Sequence, residues 1–434
     1  MESLWRKTEL PEFPRLQTDL KTDVLIIGGG LAGLLCAFFL KNAGVDCVLV
    51  EENRICSGVT GNTTAKLTAQ HGLIYSKLIS QIGEERARLY YEANREALTE
   101  YGKLCTQADC DYSERDSFLY CRDDTGKLEA EMAALEKLKI PARWTTQTEL
   151  PFSVTGAVCM PHQAQFHPLK FASMIARDLP VFENTAVRSF DGRDYHTDSG
   201  VIRAEKVIVA THFPMWNKHG LYPLKLYQDR SYVLALQGVK PIQGMYKDTD
   251  TKGLSFRMAG EYLLLGGGAH RTGKKGDMWQ EKAAKKYYAD AVVAYRWATQ
   301  DCMSLDGIPY IGRYARNAEN MYVATGFNKW GMTSAMVAAR LLRDLIVEKG
   351  NPYAELFSPS RSMLKPQLFV NGFEATAHLL KPTVPRCPHM GCALQWNKKE
   401  HSWDCPCHGS RFSEEGKRLN GPATADMKNT IKGE

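Results

Sequence analysis

The sequence predicts a chain of mixed α/β and α+β character. An open βαβ unit lies near the N-terminus, an antiparallel sheet portion is interleaved with it, and a small β-rich segment ends the chain. Three observations carry this. A strand, glycine turn, helix and second strand follow one another over residues 21–53; a strand, glycine-rich turn and apolar helix recur at 320–350; and the hexapeptides CPHMGC (387–392) and CPCHGS (405–410) crowd four cysteines and two histidines into the tail. At 434 residues, 44% hydrophobic and 24% charged, the chain has an ordinary globular balance and the length of two or three domains, or of one large domain with an appendage. The net charge of +6 is spread thinly, and basic pairs such as Lys274–Lys275 and Lys398–Lys399 read as solvated surface, so no nucleic-acid partner is expected.

In KTDVLIIGGGLAGLLCAFFLKNAGVDCVLVEEN (21–53), VLII is a strand, LLCAFFLKNAG a helix stopping at Gly44, and CVLVE a second strand ending at Glu51. Gly28-x-Gly30-x-x-Gly33 divides three tasks: a tight turn, close approach of a pyrophosphate, and close helix–strand packing. The pyrophosphate sits on the helix N-terminus, and Glu51 is placed to accept ribose hydroxyls. The run 24–40 is too short and too glycine-rich for a membrane span, and the polar N-terminus lacks a signal-peptide core, so a cytoplasmic location is expected. Residues 84–104 and 127–140 read as amphipathic helices, and 230–238 and 261–267 as strands. LLLGGGAHRTG (263–273) lacks a third glycine at the right offset and reads as a strand-to-loop turn, leaving one dinucleotide site. One such site in a chain this long fits a flavoprotein, with a Rossmann-type unit binding FAD. MYVAT, GFNKWG and MTSAMVAARLLRDLIVEKG read as strand, turn and helix; that helix N-terminus directs positive dipole at the crevice.

The fingerprint, the small-residue loop RICSGVTGNTTAKLT after Glu51, the strand VIVATHFP (207–214), and DGIPYIGR (306–313) followed by NMYVATGFNKWGMTSAMVAARLL (320–342) together resemble the D-amino-acid oxidase family of FAD-dependent oxidoreductases, which includes glycine and sarcosine oxidases. The resemblance spans about residues 20–350 and is weakest in the middle. It implies an oxidoreductase over 1–356, with FAD-binding parts near 20–80, 150–220 and 300–350 and substrate-side parts near 81–149 and 221–299. It implies FAD contacts from Gly28, Gly30, Leu31, Ala32, Gly33, Glu51, Arg54, Thr63, Val187, Gly326, Trp330, Gly331, Met332 and Thr333.

Residues 357–380 read as a connector with a short helix, and 381–434 as a separate segment. If Cys387 pairs with His389 and Cys405 with His408, the spacing is C-x-H, fifteen residues, C-x-x-H. That is the Rieske arrangement, two cysteines on one iron of a [2Fe–2S] cluster and two histidines on the other. A structural zinc is the rival, although zinc sites usually use C-x₂₋₄-C and H-x₃₋₅-H pairs. Resemblance to respiratory Rieske proteins implies a disulfide between Cys392 and Cys407, a hydrogen bond from Ser410 to a cluster sulfur, and a missing one at Phe412, where high-potential proteins often carry tyrosine. The tail is short for an independent domain, so support from the flavin domain or a partner chain is expected.

A two-electron flavin joined to a one-electron cluster predicts a dehydrogenase that oxidises a small amine or hydroxy compound and passes electrons singly to an external protein or quinone-like acceptor. The alternatives are a relay between protein partners with no small substrate, and a zinc-stapled binding protein. The oxidases hold a substrate carboxylate with arginine shortly before D-G-x-P; here Asp301 stands there and would repel one. Arg257 and Arg271 are substitutes to consider, and Tyr232 and His270 are candidates for substrate contact. Cys302 lies in the region where sarcosine oxidases attach flavin, but its spacing to Asp306 differs, so covalent attachment is not expected. The sequence carries no sign of oligomeric state.

Overall fold

The computed structural model describes residues 2–216, 220–276, 278–382 and 385–427; the last part of the expected terminal segment lies outside these residues. The apolar run after residue 20 becomes the strand Leu20–Ile27, central in an eight-stranded sheet. It pairs in parallel with Cys47–Val50 and Val201–Val209, and Val181–Phe182 and Met321–Thr325 extend the sheet on either side. Val24 and Ile26 pack under the helices Leu31–Asn42 and Gly331–Ile346, while Leu25 and Ile27 pack with Val207 and Val209 on the opposite face. Burial on both faces explains why the strand reads as an unbroken apolar run.

A second sheet of nine strands runs, in spatial order, Val292–Ser304, Leu226–Gln237, Tyr262–Arg271, Ser255–Ala259, Met245–Asp248, Ser113–Cys121, Gly156–Gln165 and Lys66–Leu67, with Arg143–Thr145 beside Gly156–Gln165. Lys66–Leu67 and Gly156–Gln165 thus belong to this sheet although they lie in ranges read as nucleotide-binding. Contrary to the strand-to-loop reading, the glycine cluster does not end a strand: Tyr262–Arg271 continues through it, because a bulge at Gly268 (φ +70°) resets the register between the Tyr232–Gly267 and Arg230–His270 pairs. The helices Glu84–Cys105 and Gly126–Lys137 form as expected; the second stops early because Lys139 turns left-handed at φ +52°.

The connector is a helix of 15 residues, Pro366–Leu380, entered through proline at its first turn. Beyond it, Gln395–Asn397, Ser402–Asp404, Arg411–Ser413 and Arg418–Asn420 form a four-stranded antiparallel meander. Among the described residues its apolar core is little more than the four tail cysteines with Leu394, Phe412, Ala423 and Met427, and Trp403 packed against them. Such a core is too small to stand alone, and the meander rests on the second sheet.

Candidate functional site

A cavity of about 780 Å³ lies between the two sheets, closed by the tail. At one end stands the glycine turn. Gly28 has φ +110°, and a Cβ there would lie 2.6 Å from the Ala210 carbonyl oxygen. A Cβ on Gly33 would lie 1.9 Å from the Gly28 carbonyl oxygen, so the helix can approach the strand only as glycine. Gly28, Gly30, Leu31 and Ala32 line the cavity, whereas Gly33 lies behind it as a packing residue. Glu51 also lines it and accepts hydrogen bonds from the Gly29 and Asn53 amides at 2.6 and 2.9 Å; burial still pushes its carboxyl up. Arg54, at the rim, pairs with Glu12 and with the buried Glu183, both at 2.8 Å. Thr63 and Val187 line the middle, and Gly326, Trp330, Gly331 and Met332 close the wall at the start of the helix Gly331–Ile346. Thr333 points away from the cavity, bonded to Thr68 and His71.

The two hexapeptides fold alike. Cys387 N–H donates to Cys392 O at 2.9 Å and Gly391 N–H to Cys387 O at 2.9 Å; Cys405 N–H donates to Ser410 O at 2.8 Å and Gly409 N–H to Cys405 O at 2.9 Å. These matched turns face each other. The Cys387 thiol lies within hydrogen-bonding reach of Cys405 and Ser410, and the His389 and His408 rings meet edge to face with centroids 5.0 Å apart. Burial holds both imidazoles neutral, pushed down to about 3 and about 4. His408 Nε2–H donates to Pro223 O at 3.0 Å, which leaves buried Nδ1 without a hydrogen-bond partner among the described residues and available to a metal. Ser410 Oγ accepts from Ala423 N–H at 3.0 Å, freeing its proton for the Cys387 sulfur. Cys392, Cys405 and Cys407 bring their sulfurs within 4.8 Å of one another, and all four tail cysteines are free thiols here.

The second sheet grips this cluster by its backbone. Arg271 donates to Pro406 O at 2.9 Å and Cys407 O at 3.1 Å, Gln228 to His408 O at 2.7 Å, and Gln300 to Gly409 O at 2.8 Å. Beside them Arg230 and Arg411 pair with Glu400, whose carboxyl burial alone would push up but which these cations hold down at about 2. Phe213 stands at the junction: its ring lines the cavity and meets His389 and His408 at centroid distances of 6.3 and 5.9 Å. The tail loop Arg418–Thr424 forms part of the same cavity wall.

Residues 23–345 match the family described as FAD dependent oxidoreductase, and residues 373–430 match the Rieske [2Fe-2S] domain. The chain belongs to the FAD-dependent oxidoreductase family and ends in a Rieske domain. A Bacillus subtilis Rieske 2Fe-2S iron-sulfur protein, YhfW, is 36% identical over 98% of this chain and 97% of its own length. The γ-glutamylputrescine oxidoreductase of Escherichia coli is 24% identical over 79% of this chain and 88% of its own. Among solved structures, glycine oxidase from Geobacillus kaustophilus overlays 79% of this chain and 100% of its own with a TM-score of 0.65 at 20% identity. L-proline dehydrogenase from P. horikoshii overlays 79% and 98% with a TM-score of 0.67 at 17% identity. At those identities the overlays speak to fold.

The cofactors of this family and domain, FAD and a [2Fe–2S] cluster, fit the residues present. The glycine turn leaves its backbone bare where a dinucleotide needs it, and the tail offers thiols, neutral imidazoles and an orphaned ring nitrogen. When bound, FAD supplies two-electron exchange with organic molecules and the cluster supplies one-electron exchange. Against this family pattern, Asp301 faces Asp229 across the ladder, and Lys329 bridges both at 3.3 and 3.6 Å. Neither arginine substitutes as a carboxylate clamp: Arg271 is spent on the cluster loop, and Arg257 is buried under Trp5 and donates to Phe166 O. Tyr232 lines the cavity but donates its hydroxyl to Glu400 at 3.1 Å, and His270 stacks behind it, off the cavity. Cys302 faces Thr325 at 3.6 Å, its thiol pushed up to about 12 by burial. Sequence reasoning missed Phe213, Gln228, Gln300, Lys66, Lys247 and Lys329. Phe213, Lys66 and Lys329 lay inside stretches already singled out, and Gln300 stands directly before Asp301; Gln228 and Lys247 carried no such signal.

Proposed function

We propose that this protein is a dehydrogenase: a small amine or hydroxy compound is oxidised at the flavin, and the electrons leave one at a time through the Rieske cluster to an external acceptor. The observation that carries the reading is Phe213, one ring in contact with both cluster histidines that also walls the flavin cavity. His389 and His408 therefore stand on the side of the tail that faces the flavin domain. Rieske potentials of roughly −150 to +300 mV make acceptance from a reduced flavin generally downhill.

In this reading Gly28, Gly30, Leu31 and Ala32 hold the dinucleotide phosphates, Glu51 the ribose, and Gly326, Trp330, Gly331 and Met332 the ring end. Cys387, His389, Cys405 and His408 ligate iron, and Cys392 and Cys407, free thiols here, are the pair that oxidation would bridge to tie the loops. Tyr232 and His270 serve as positioning residues for the docked tail through Glu400 rather than as substrate contacts.

Anaerobic addition of a panel of amines and hydroxy compounds, followed by absorbance and low-temperature EPR, tests the reading. Bleaching of the flavin band followed by a reduced-cluster signal is the expected result. A panel that leaves both unchanged, while a reduced protein donor changes both, would replace it with a relay between proteins.

A further inference from the structure

The second sheet presents a row of cross-strand neighbours on the cavity side. Lys247 pairs with Ser255, Ser255 with Gly266, and Gly266 with Val233, and all four line the cavity. Residues paired directly across a sheet share a face, so the register sets Lys247, Ser255 and the bare backbone of Gly266 side by side on the cavity face. Lys66, from the edge strand Lys66–Leu67, reaches the same place: its Nζ donates to Ser255 Oγ and to Tyr246 O, the latter at 3.4 Å. Lys247 Nζ donates to the main-chain oxygens of Asp248 and Asp250 at 3.1 and 3.0 Å.

What these lysines lack is a carboxylate in direct contact, although Asp248 and Asp250 attract Lys247 from a distance. Among the described residues neither forms an ion pair. The nearby Asp248 and Asp250 side chains instead accept loop amides, from Asp250 and Lys252 at 2.9 Å each. Lys329, by contrast, is already neutralised by Asp229 and Asp301. Each of the two free lysines has two of its three protons engaged and one left for the cavity. Gly266 keeps the approach open. A Cβ built there has nothing closer than Ser255 at 3.8 Å, so packing does not demand glycine, yet any longer side chain would stand over Ser255.

We infer that Lys66 and Lys247 form an anion-binding subsite for the substrate, taking a carboxylate or phosphate group. The polarity of the pocket is thereby reversed relative to the amino-acid oxidases: the acid end of the substrate is seated on Lys66–Leu67 and Met245–Asp248, away from Asp301. Burial and the neighbouring Arg257 and Lys247 depress Lys66, and a bound anion offsets that repulsion. The inference deepens the dehydrogenase reading and rests on it for the word substrate, but the binding itself does not depend on turnover.

The test uses the FAD-loaded full chain and three probes, acetate, succinate and inorganic phosphate, followed by flavin difference spectra and calorimetry. Saturable binding of at least one is expected, weakened about tenfold or more in Lys66→Met and in Lys247→Gln, as loss of a charged hydrogen bond implies. Gly266→Val, which keeps both charges but covers Ser255, should weaken binding as well, and it decides the matter if the lysine variants lose flavin. Preference for acetate or succinate names a carboxylate substrate; preference for phosphate names a phosphate ester. Absence of binding by all three probes, or equal affinity in wild type and folded variants, would overturn the subsite. Anion binding in a protein that oxidises no amine or hydroxy compound would sink the dehydrogenase reading and leave the subsite standing.

Discussion

Gly33 shows how little room the nucleotide end leaves. With its virtual Cβ 1.9 Å from the Gly28 oxygen, any side chain forces helix and strand apart. Gly33→Val should yield protein with little or no flavin, read as the ratio of flavin to protein absorbance. Phe412 is fully buried among the tail cysteines, at 0% exposure. Phe412→Tyr places a hydroxyl donor among those sulfurs and should raise the cluster midpoint potential, measured by voltammetry; an unchanged potential would mean that the hydroxyl does not reach a sulfur. Hydrogen bonds to cluster sulfurs are one of the means by which proteins set such potentials. Phe213→Leu should slow the arrival of electrons at the cluster while leaving the rate of flavin bleaching by substrate unchanged, a split visible by stopped flow.

At the scale of elements, the contact between the long strand Leu226–Gln237 and the tail meander is held by a buried charge cluster. Arg230 and Glu400 side chains are each 7% exposed, and Arg411 joins them. Arg230→Leu leaves Glu400 buried beside one cation instead of two. Breaking a buried pair in this way costs about 3–5 kcal/mol, so the variant should expose the helix Pro366–Leu380 to limited proteolysis while the flavin domain stays folded. Glu400 also sets a pH limit. Its carboxyl ionises at about 2 when docked against an ordinary value of 4.5, so its contribution is complete above pH 4.5 and is lost as pH falls toward 2. The difference corresponds to about 3 kcal/mol, and the proteolysis of wild type should rise through that window.

These elements also show what a sequence displays and what it hides. The βαβ unit and the cluster turns were legible because their chemistry is local: three glycines within six residues, or a cysteine and a histidine two or three apart, declare themselves in one glance along the chain. The continuation of Tyr262–Arg271 through its glycines was not, since only the pairing with Leu226–Gln237 shows that Gly268 is a bulge. The Lys66–Lys247 pair was hidden for the same reason: its members lie far apart in the chain, and only the order of strands in the second sheet brings them to Ser255. Arg271 stood as a substitute to consider for the family's arginine because nothing in the sequence reveals that Pro406 and Cys407 will present their carbonyls to it.

For the molecule as a whole, the cavity is walled by both sheets and by the tail, so neither the flavin domain nor the Rieske domain completes it alone. Arg418, on the tail, pairs with Glu52, next to the residue expected to hold the ribose. Arg418→Ala should speed flavin release on dilution only a few-fold, since a partly exposed pair is worth up to about 1 kcal/mol, whereas Arg230→Leu should speed it far more. Among the described residues no helix is long and apolar enough to cross a membrane.

The loop Arg418–Thr424 works as a roof, and a roof dictates the order of building. A newly made chain should admit its yellow prosthetic group more readily before the tail settles, and iron and sulfide, by joining the two turns, would hold the settled tail more firmly. Starving cells of iron should therefore yield polypeptide that is pale on both counts, having shed a vitamin-derived group because a mineral was missing.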